Sequence, residues 1–362
     1  MRGPLLIAAG GTGGHMFPAL ALGRELRRRG HEVAVLTDAR GRRYLDGELP
    51  CHVVSAGSPS GGVAATLAGI GSLARGFSQS VPLLRRLCPA AAAVFGGYAS
   101  VPAALAAAVA RVPVLLHEQN AVFGRANRLI ARFAKVVALS FGDTEAVPQV
   151  GGRRLVSGNP VRPGFGVEAV PYVPPVEGEP FRLLVMGGSQ GARVFSDVVP
   201  AAIGLLRPGL REHLQLAQQC RPEDLDRVRA AYANLGLTPD LAPFFTDAPV
   251  RMREAHLVIT RSGASTISEL LLLARPAILV PYPFAADDHQ TANAARLAAA
   301  GAARLLPQPE LTPQGLAALL AELVASPDTL AAMAGRASEL ARPDAAAVLA
   351  DAVLSLANGD PS

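Results

Sequence analysis

At roughly 150 residues per domain, the chain of 362 residues has room for about two domains. Half of the residues are hydrophobic and only 17% are charged, which argues against disorder for the bulk of the chain. The net charge of +5, the 5% of aromatic residues and the absence of Trp argue against a stacking platform for single-stranded nucleic acid, and they suit an anionic ligand or lipid surface better than duplex DNA.

The three cysteines, Cys51, Cys88 and Cys220, are widely separated and form no C-x-x-C motif. This spacing argues against a disulfide framework and a cysteine zinc site, and it fits a reducing compartment. The apolar run at residues 4–9 ends in glycines and predicts a strand rather than a signal peptide. The uncharged segment 89–110 is rich in alanine and is interrupted by glycine and proline, so we predict a strand, a loop and a helix there rather than a membrane span.

Short apolar runs alternate with helical patterns along the first half, an order typical of parallel β-sheets. The runs predict strands at 5–9, 32–37, 53–55, 91–95, 114–117 and 136–139. The helical patterns predict helices at 17–29, 66–87, 99–110 and 123–133, and Pro82 is expected to kink or end the second of them.

A proline-rich segment at 160–180 predicts a stiff extended linker, and the alternation resumes at 181. Further strands are predicted at 183–186, 214–217, 257–260, 277–280 and 303–306, and further helices at 266–274, 289–299 and 343–357. We therefore expect an α/β protein with one domain over residues 1–159 and a second over 160–340.

Each half opens with a strand, a glycine-rich loop and a helix. The two loops occupy residues 10–14 and 187–191. Such a loop presents backbone N–H groups and the positive end of a helix dipole, which favours phosphate. The repeat predicts two Rossmann-like domains in tandem, with ligands bound in a cleft at the carboxyl ends of their strands.

Other uses of the glycine loops are less well supported. The only lysine is Lys135, so neither loop carries the lysine of a P-loop NTPase. A dinucleotide fingerprint fails at Met16, although Asp38 could still hold a ribose, which keeps an NAD enzyme as an alternative. A third interpretation is that the glycines only form tight turns.

Two polar segments are candidates for chemistry. His15 begins the helix after the first loop, where the dipole disfavours the imidazolium, so it is either a general base or a capping or packing residue. Residues 117–120, His-Glu-Gln-Asn, follow a strand and could bind sugar hydroxyls or hold a base, or form a solvated loop. The adjacent positions of His117 and Glu118 argue against zinc.

The segment 261–269 also follows a predicted strand and opens a helix. Its small hydroxylated residues and N–H groups suit a diphosphate, and Glu269 could accept both ribose hydroxyls. The alternative is an ordinary helix start with a favourable early glutamate.

Five motifs carry a resemblance to a known family. In order they are the first glycine loop with His15, Phe17 and Pro18, the segment 117–120, the segment 158–162 (Gly-Asn-Pro-Val-Arg), the second glycine loop with Ala192, and the segment 261–269. This order and spacing resemble the MurG family of bacterial peptidoglycan N-acetylglucosaminyltransferases over residues 5–355.

The resemblance implies a GT-B fold, in which two Rossmann-like domains face each other across a cleft, and a last helix at 341–358 that packs back on the first domain. It implies inverting transfer of N-acetylglucosamine (GlcNAc) from UDP-GlcNAc to the 4-hydroxyl of MurNAc in lipid I, giving lipid II. No cofactor and no metal are implied. The expected location is the cytoplasmic face of the inner membrane, as a peripheral protein.

The resemblance also implies roles for particular residues. Tyr98 and Asn127 are expected on the acceptor side. The resemblance does not identify the catalytic base, for which we expect His15, with Glu118 as the alternative. Ser189 and the 264–266 amides are expected to bind phosphate, Phe245 uracil through its backbone, and Gln290 the GlcNAc hydroxyls, with a second possible register one position away. The expected contacts of UDP-GlcNAc are Thr12, Gly13, Gly14, Asn120, Arg162, Ser189, Phe245, Ala264, Ser265, Thr266, Ile267, Ser268, Glu269 and Gln290.

Apolar residues recur at helical spacing in the predicted helix 66–87, which indicates either a core face or an apolar surface on an anionic membrane. The apolar set is Leu67, Ile70, Leu73, Phe77 and Leu84, and the neighbouring basic set is Arg75, Arg85, Arg86, Arg128, Arg132 and Lys135. The expected partners are UDP-GlcNAc, lipid I and this membrane surface, with other cell-wall synthesis and division proteins as further candidates and no nucleic acid.

Two alternatives to the transferase remain at this point. One is another UDP-sugar enzyme of the same fold, such as a UDP-GlcNAc 2-epimerase, which would need no acceptor. The other is a non-catalytic UDP-sugar sensor or scaffold, which would bind the nucleotide sugar without turnover.

Overall fold

The computed structural model describes residues 3–45, 47, 49–59, 62–149, 151–165, 171–176, 178–188 and 191–360. The chain divides into two compact units. The first unit comprises Met1–Pro163 and Arg342–Ser362, and the second comprises Gly164–Ala341.

The first unit is built on a seven-stranded parallel sheet. Its strands are β1 (Leu5–Ala8), β2 (Val33–Thr37), β3 (Cys51–Val53), β4 (Ala91–Val94), β5 (Val114–Glu118), β6 (Val136–Leu139) and β7 (Arg153–Val156), in the spatial order β3-β2-β1-β4-β5-β6-β7. Its first four helices are α1 (Gly13–Arg28), α2 (Val63–Leu87), α3 (Val101–Val109) and α4 (Arg125–Ile130).

The central strands of this sheet are buried along their whole length, as expected for parallel strands covered by helices on both faces. All neighbouring strands run parallel. The carboxyl ends of β1, β4 and β5 therefore lie side by side at one edge, and the loops that follow these strands are brought together there.

The second unit repeats this design with a six-stranded parallel sheet. Its strands are β8 (Phe181–Met186), β9 (Leu214–Gln219), β10 (Asp240–Ala242), β11 (Leu257–Thr260), β12 (Ala277–Leu279) and β13 (Ala303–Leu305), in the order β10-β9-β8-β11-β12-β13. Its helices are α5 (Arg193–Leu205), α6 (Pro208–Glu212), α7 (Leu225–Ala233), α8 (Ala248–Glu254), α9 (Ala264–Leu272), α10 (His289–Ala299), α11 (Pro313–Val324) and α12 (Pro327–Leu340).

The last helix, α13 (Ala345–Asn358), lies in the first unit. Leu349 and Val353 are fully buried in the same core cluster as residues of β1 and α1. Arg29 at the end of α1 also forms an ion pair with Asp351 of α13. The carboxyl-terminal segment thus completes the core of the amino-terminal sheet.

Several predicted boundaries were wrong. The third strand is Cys51–Val53 rather than 53–55, and α2 begins at Val63 rather than residue 66. It ends at Leu87 as predicted, so Pro82 does not end the helix. A proline removes one helical hydrogen bond, and here the packing of α2 outweighs that loss. Gly76 of α2 lies so close to α3 that a Cβ built on it would be 3.0 Å from the Pro102 side chain.

The starts of two helices matter for the site. α1 begins at Gly13 rather than residue 17, and α9 begins at Ala264 rather than residue 266. The end of the first glycine loop and the small residues of 264–266 therefore form the first turns of helices, where backbone N–H groups lack helical partners. The described residues of the predicted linker 160–180 contain no helix or strand.

Within the described part of the chain, no single helix has the length and apolar character needed to cross a membrane. One bent pair, Pro313–Val324 followed by Pro327–Asn358 at an angle of 91°, meets those criteria of length and composition when the two are taken together.

Candidate functional site

The first glycine loop is held by an anionic anchor. Asp38, one residue beyond β2, accepts hydrogen bonds from the N–H of Gly11 (3.0 Å) and of Gly41 (2.8 Å) and pairs with Arg40 (3.0 Å). Burial alone would raise the pKa of this carboxyl, but the two N–H donors and Arg40 outweigh it, so the pKa lies below its usual value. Because Asp38 is committed to the loop, the structure does not support the alternative in which it holds the ribose of a dinucleotide.

The second part of this loop is packed against α1. A Cβ built on Gly13 would lie 2.8 Å from the Phe17 ring, so a larger residue at the start of α1 would have to displace that ring. The Arg162 guanidinium lies 5.2 Å from the centre of the same ring. Thr12 and Gly14 lie in the same turn, and the exposed Thr12 is the residue that precedes the helix.

The loop after β4 packs against His15. Gly97 has a φ of 71°, a conformation that L side chains rarely adopt, and a Cβ built there would lie 3.1 Å from His15 Nε2. The half-exposed Tyr98 follows directly and begins a short 3₁₀ turn. The predicted base and the predicted acceptor-side tyrosine therefore lie at the same edge of the sheet, after β1 and after β4.

The segment 117–120 is not a solvated loop. His117, Glu118 and Gln119 are all buried. Glu118 Oε1 accepts from Asn120 N (3.0 Å) and Nδ2 (3.3 Å), and Oε2 accepts from Gly124 N (2.9 Å) and Asn127 Nδ2 (2.6 Å). Both oxygens of Glu118 are thus committed to holding the loop after β5, which supports a positioning role rather than a role as base.

Asn127 is buried beside the same carboxylate. Its Oδ1 accepts no hydrogen bond from the residues that the structure describes, although its Nδ2 is bound to Glu118. A Cβ built on Gly96 would lie 2.5 Å from this oxygen. Buried polar atoms without a partner are rare in proteins and often mark functional positions.

His15 is bound through its other ring nitrogen. His15 Nδ1 lies 2.9 Å from Gln119 Oε1, and Gln119 Nε2 lies 3.0 Å from His117 Nδ1. The first-unit site is therefore a connected set on three neighbouring strands, with His15 after β1, Gly97 and Tyr98 after β4, and Glu118 to Asn127 after β5.

The second glycine loop has a neutral anchor. Gln219, the last residue of β9, accepts from the N–H of Gly187 (3.0 Å) and donates to the carbonyls of Gly188 (3.0 Å) and Pro243 (3.0 Å). A Cβ built on Gly187 would lie 2.3 Å from the N of Ala192, so the loop closes tightly on the start of α5. Ser189, predicted to contact phosphate, lies outside the described residues.

The first turn of α9 has the geometry of an anion site. Ala264, Ser265 and Thr266 are its first three residues, and the first N–H groups of a helix have no helical acceptor. Ser265 Oγ is buried and has no hydrogen-bond partner within the described residues. Ile267 is different, because its side chain is fully buried and its N–H donates to the Gly263 carbonyl (2.9 Å). We therefore expect Ile267 to support the turn by packing only.

The remaining predicted donor residues lie around this turn. Ser268 and Glu269 are buried further along α9, and the Ser268 hydroxyl donates to the Ala264 carbonyl (3.0 Å). Gln290 lies in the first turn of α10, where its Oε1 accepts from Tyr282 N (2.9 Å) and its carbonyl accepts from Ser262 Oγ (2.8 Å). The Gln290 oxygen thus fixes the preceding loop.

Phe245 is buried, and the Arg251 guanidinium lies 4.2 Å from the centre of its ring. Its backbone groups are therefore the ones through which it would contact a base, as predicted from the resemblance. Asp287 and Asp288 precede α10, and Asp288 accepts from Thr291 Oγ1 (2.7 Å). Among the described residues, no group of three His, Cys, Asp or Glu side chains is placed to hold a metal ion.

Sequence reasoning missed three anchors. Asp38 and Gln219 hold the two glycine loops, and Arg261 donates to the Val280 and Pro281 carbonyls (3.1 and 3.0 Å) and to Gln308 Oε1 (2.7 Å). Burial lowers the pKa of Arg261. Asp38 and Gln219 share a signal in the sequence. Each is a polar residue at the end of a strand, and that strand is the neighbour of the one that leads into a glycine loop.

Models of two protein domains match the chain. The glycosyltransferase family 28 N-terminal domain matches residues 5–139, and the family 28 C-terminal domain matches residues 182–349. A curated relative from Rhodospirillum centenum is 49% identical over 358 residues, which cover 98% of this chain and 94% of the relative. A second relative, from Rhodospirillum rubrum, is 51% identical, and the match covers 98% of this chain and 92% of that relative. Both are named UDP-N-acetylglucosamine–N-acetylmuramyl-(pentapeptide) pyrophosphoryl-undecaprenol N-acetylglucosamine transferase.

Solved structures are similar as well. MurG from Acinetobacter baumannii superposes with a TM-score of 0.79 at 31% identity, covering 97% of this chain and 99% of that one. UDP-GlcNAc 2-epimerase from Neisseria meningitidis reaches 0.67 at 13% identity, covering 97% of this chain and all of that one, which shows a shared fold alone. The two parallel-sheet units are thus those of a GT-B glycosyltransferase, and the chain belongs to glycosyltransferase family 28, within its MurG group.

Proposed function

We propose that this protein transfers GlcNAc from UDP-GlcNAc to the 4-hydroxyl of MurNAc in undecaprenyl-diphospho-MurNAc-pentapeptide (lipid I) and forms lipid II. The relatives that share about half of its residues over nearly the whole chain carry the name of this activity. The observation in the structure that supports it best is His15, which the loops after β4 and β5 hold at the edge of the first sheet.

The second unit is proposed to bind the donor. The first turn of α9 offers three N–H groups and the Ser265 hydroxyl, which together suit the diphosphate of UDP-GlcNAc. Glu269 would accept the ribose hydroxyls, and Gln290 would donate to a hydroxyl of GlcNAc. Phe245 would pair its backbone with the uracil. Ser189 and Arg162 are further proposed contacts of the diphosphate.

The reaction is proposed to be a single displacement. The acceptor O4 attacks the anomeric carbon as the bond between that carbon and the diphosphate oxygen breaks, which converts the α-linked donor to a β-1,4 product. The O4 proton passes to His15 Nε2, and the electron pair of the broken bond leaves with UDP. Helix-terminal N–H groups and Arg162 stabilise the negative charge that develops on UDP.

His15 is preferred to Glu118 as the base because of their surroundings. Glu118 accepts four hydrogen bonds, three from the loop after β5 and one from α4, whereas His15 is bound through Nδ1 and is half-exposed. On this proposal Thr12, Gly13 and Gly14 shape the first turn of α1, Asn120 and Asn127 are held by Glu118, and Asn127 Oδ1 and Tyr98 contact the acceptor.

The deciding experiment measures UDP release from UDP-GlcNAc with and without a short-chain lipid I analogue. Acceptor-dependent release with a β-linked disaccharide product is the expected result. Release without the acceptor would instead support an epimerase or hydrolase, and donor binding without turnover would support a sensor.

We also propose that α2 contacts an anionic membrane at the cytoplasmic face. Leu73, Phe77 and Leu84 of the predicted apolar set pack against the core, but Leu67 and Ile70 are 64% and 51% exposed. Val63, one turn earlier, is 80% exposed. The basic residues predicted to accompany them are all exposed: Arg75, Arg85, Arg86, Arg128, Arg132 and Lys135.

Exposed apolar side chains beside basic residues are suited to an anionic lipid surface. The test is sedimentation with phosphatidylglycerol-containing vesicles. A variant with Val63, Leu67 and Ile70 replaced by Ser should bind less, whereas replacing Val173 and Val176, two exposed valines of the second unit, should leave binding unchanged. Equal binding by both variants would contradict the proposal.

A further inference from the structure

Three side chains of the first-unit site form one hydrogen-bonded chain that ends on the backbone. His15 Nδ1 lies 2.9 Å from Gln119 Oε1. Gln119 Nε2 lies 3.0 Å from both the Nδ1 and the carbonyl oxygen of His117. At the far end, His117 Nε2 lies 2.9 Å from the carbonyl oxygen of Gly158. His117 and Gln119 are buried, so water does not compete for these bonds.

Two backbone carbonyls determine which atoms of His15, Gln119 and His117 carry the protons of this hydrogen-bonded chain. Because a carbonyl oxygen only accepts, His117 Nε2 must carry a proton and donate it to Gly158. The Gln119 atom beside the His117 carbonyl must be the NH₂ nitrogen for the same reason, and it also donates to the unprotonated Nδ1 of His117. Gln119 therefore turns its oxygen toward His15, and His15 Nδ1 is the donor.

The consequence for His15 is that its lone pair lies on Nε2, the nitrogen next to the loop after β4. His15 can take up a proton on Nε2 without losing its hydrogen bond to Gln119, because Nδ1–H is donated to Gln119 Oε1 in both charge states. His117 cannot, because a proton on its Nδ1 would face the Gln119 NH₂ group. Burial and, to a smaller extent, the nearby His15 also lower the pKa of His117 to about 4, although the bond to the Gly158 carbonyl acts in the opposite direction.

We propose that Gln119 is a positioning residue which, backed by His117, holds His15 in the tautomer whose Nε2 accepts the proton of the acceptor hydroxyl. The proposal rests on the base role given to His15 above. Without this partner either imidazole nitrogen of His15 could carry the proton, and only one of the two tautomers is a base at Nε2. The other charged groups at this loop, Asp38 and Arg40, are paired with each other.

The test combines nitrogen-15 NMR of the histidine side chains with the pH profile of UDP release, on the full chain. His15→Gln identifies the resonances of His15. We expect a pyrrole-type signal from Nδ1 and a pyridine-type signal from Nε2 in the unsubstituted protein. Gln119→Leu should mix or reverse these signals and lower kcat by about 10- to 100-fold, at a nearly constant KM for UDP-GlcNAc.

Gln119→Glu is expected to keep the His15 tautomer that Gln119→Leu loses. A carboxylate still accepts from His15 Nδ1, so the tautomer should persist, and its negative charge should raise the pKa of His15. The acidic limb of the kcat/KM profile should then move to higher pH. The second oxygen of the carboxylate replaces the NH₂ group that donates to the His117 carbonyl, so Gln119→Glu should also lower the free energy of unfolding. A purely structural role for Gln119 would leave the His15 tautomer unchanged in Gln119→Leu.

Gln218→Leu is the matched control. Gln218 is also a buried glutamine with two partners, the Phe195 carbonyl (3.2 Å) and the Tyr232 hydroxyl (2.5 Å), but it lies in the second unit. Its loss should lower stability toward urea while leaving the His15 signals and the pH profile unchanged.

The proposal is overturned if His15 of the unsubstituted protein carries its proton on Nε2, or if Gln119→Leu keeps both the tautomer and kcat. A failure of the base role proposed for His15 would give a different combination of results. If His15→Gln retained full activity while NMR showed the expected tautomer, the hydrogen-bonded chain would stand and His15 would not be the base.

Discussion

The two glycine loops occupy equivalent places in their sheets but are held by side chains of different charge. β1 and β8 precede the loops, and β2 and β9, their neighbours on the same side, supply the anchors. In the first unit the anchor is the carboxylate of Asp38, and in the second it is the neutral amide of Gln219.

This difference has an electrostatic consequence. A carboxylate that accepts loop N–H groups competes with any anion for them, whereas an amide adds no charge and leaves the positive potential of the helix start available. The second loop is thus better suited to the diphosphate of a donor. The first loop instead leads into His15, whose surroundings are set by the strands β4 and β5.

The largest effect should come from His15→Gln. Removing a general base typically lowers the rate by about 10²- to 10⁴-fold, and kcat should fall by this amount. Because the donor is proposed to bind to the second unit, the Kd of UDP, measured by calorimetry, should not change. A loss of UDP affinity equal to the loss of kcat would contradict this division of roles.

Glu118→Gln should be the next most severe change, because it replaces two accepting oxygens with one oxygen and one NH₂ group facing N–H donors. Displacing the loop after β5 should lower kcat by as much as about 10²-fold. The acidic limb of the pH profile should keep its position. If that limb disappeared in Glu118→Gln but persisted in His15→Gln, Glu118 would be the base.

The contributions of the two anchors, Asp38 and Gln219, to the free energy of unfolding should depend differently on pH. Asp38→Asn should lower the free energy of unfolding by about 1–3 kcal/mol near neutral pH, as should Gln219→Leu. The pKa of Asp38 is lowered in the folded state, so its contribution is present above the unfolded pKa of about 3.9 and is lost as the pH falls through the folded value.

Urea unfolding at several pH values checks this expectation. The difference between Asp38→Asn and the unsubstituted protein should shrink at acidic pH, whereas the difference for Gln219→Leu should stay constant. Two differences that changed with pH in the same way would show that the charge of the anchor is not what distinguishes the loops.

The smallest effect is expected from Ser265→Ala. Loss of one hydrogen bond to the diphosphate should weaken UDP binding by about 2- to 10-fold, with no loss of stability because Ser265 Oγ has no partner within the described residues. Thr260→Val is the control, since Thr260 Oγ1 is also buried and unpartnered there but lies in strand β11. Equal UDP affinity in all three proteins would remove Ser265 from the proposed site.

The class of fold and its repetition follow from the sequence alone. Fully buried parallel strands are continuous apolar runs, so β1, β4, β6 and β11 were predicted within one residue at each end. The glycine loops and the segment 261–269 were found because their backbone requirements limit which residue types can occupy them. The order of these motifs along the chain was enough to indicate the family.

The roles of the polar residues near the loops depend on the tertiary structure. Asp38, Glu118 and Gln219 each follow or end an apolar strand and look alike in sequence. Asp38 and Gln219 hold glycine loops that are distant in the chain, whereas the partners of Glu118 lie within the nine residues that follow it. The path of α2 through Pro82 and the split of its apolar face between core and solvent were decided in the same way, by packing. Hydrogen bonds and packing are made between residues that the fold brings together, and a local pattern carries no information on which residues those are.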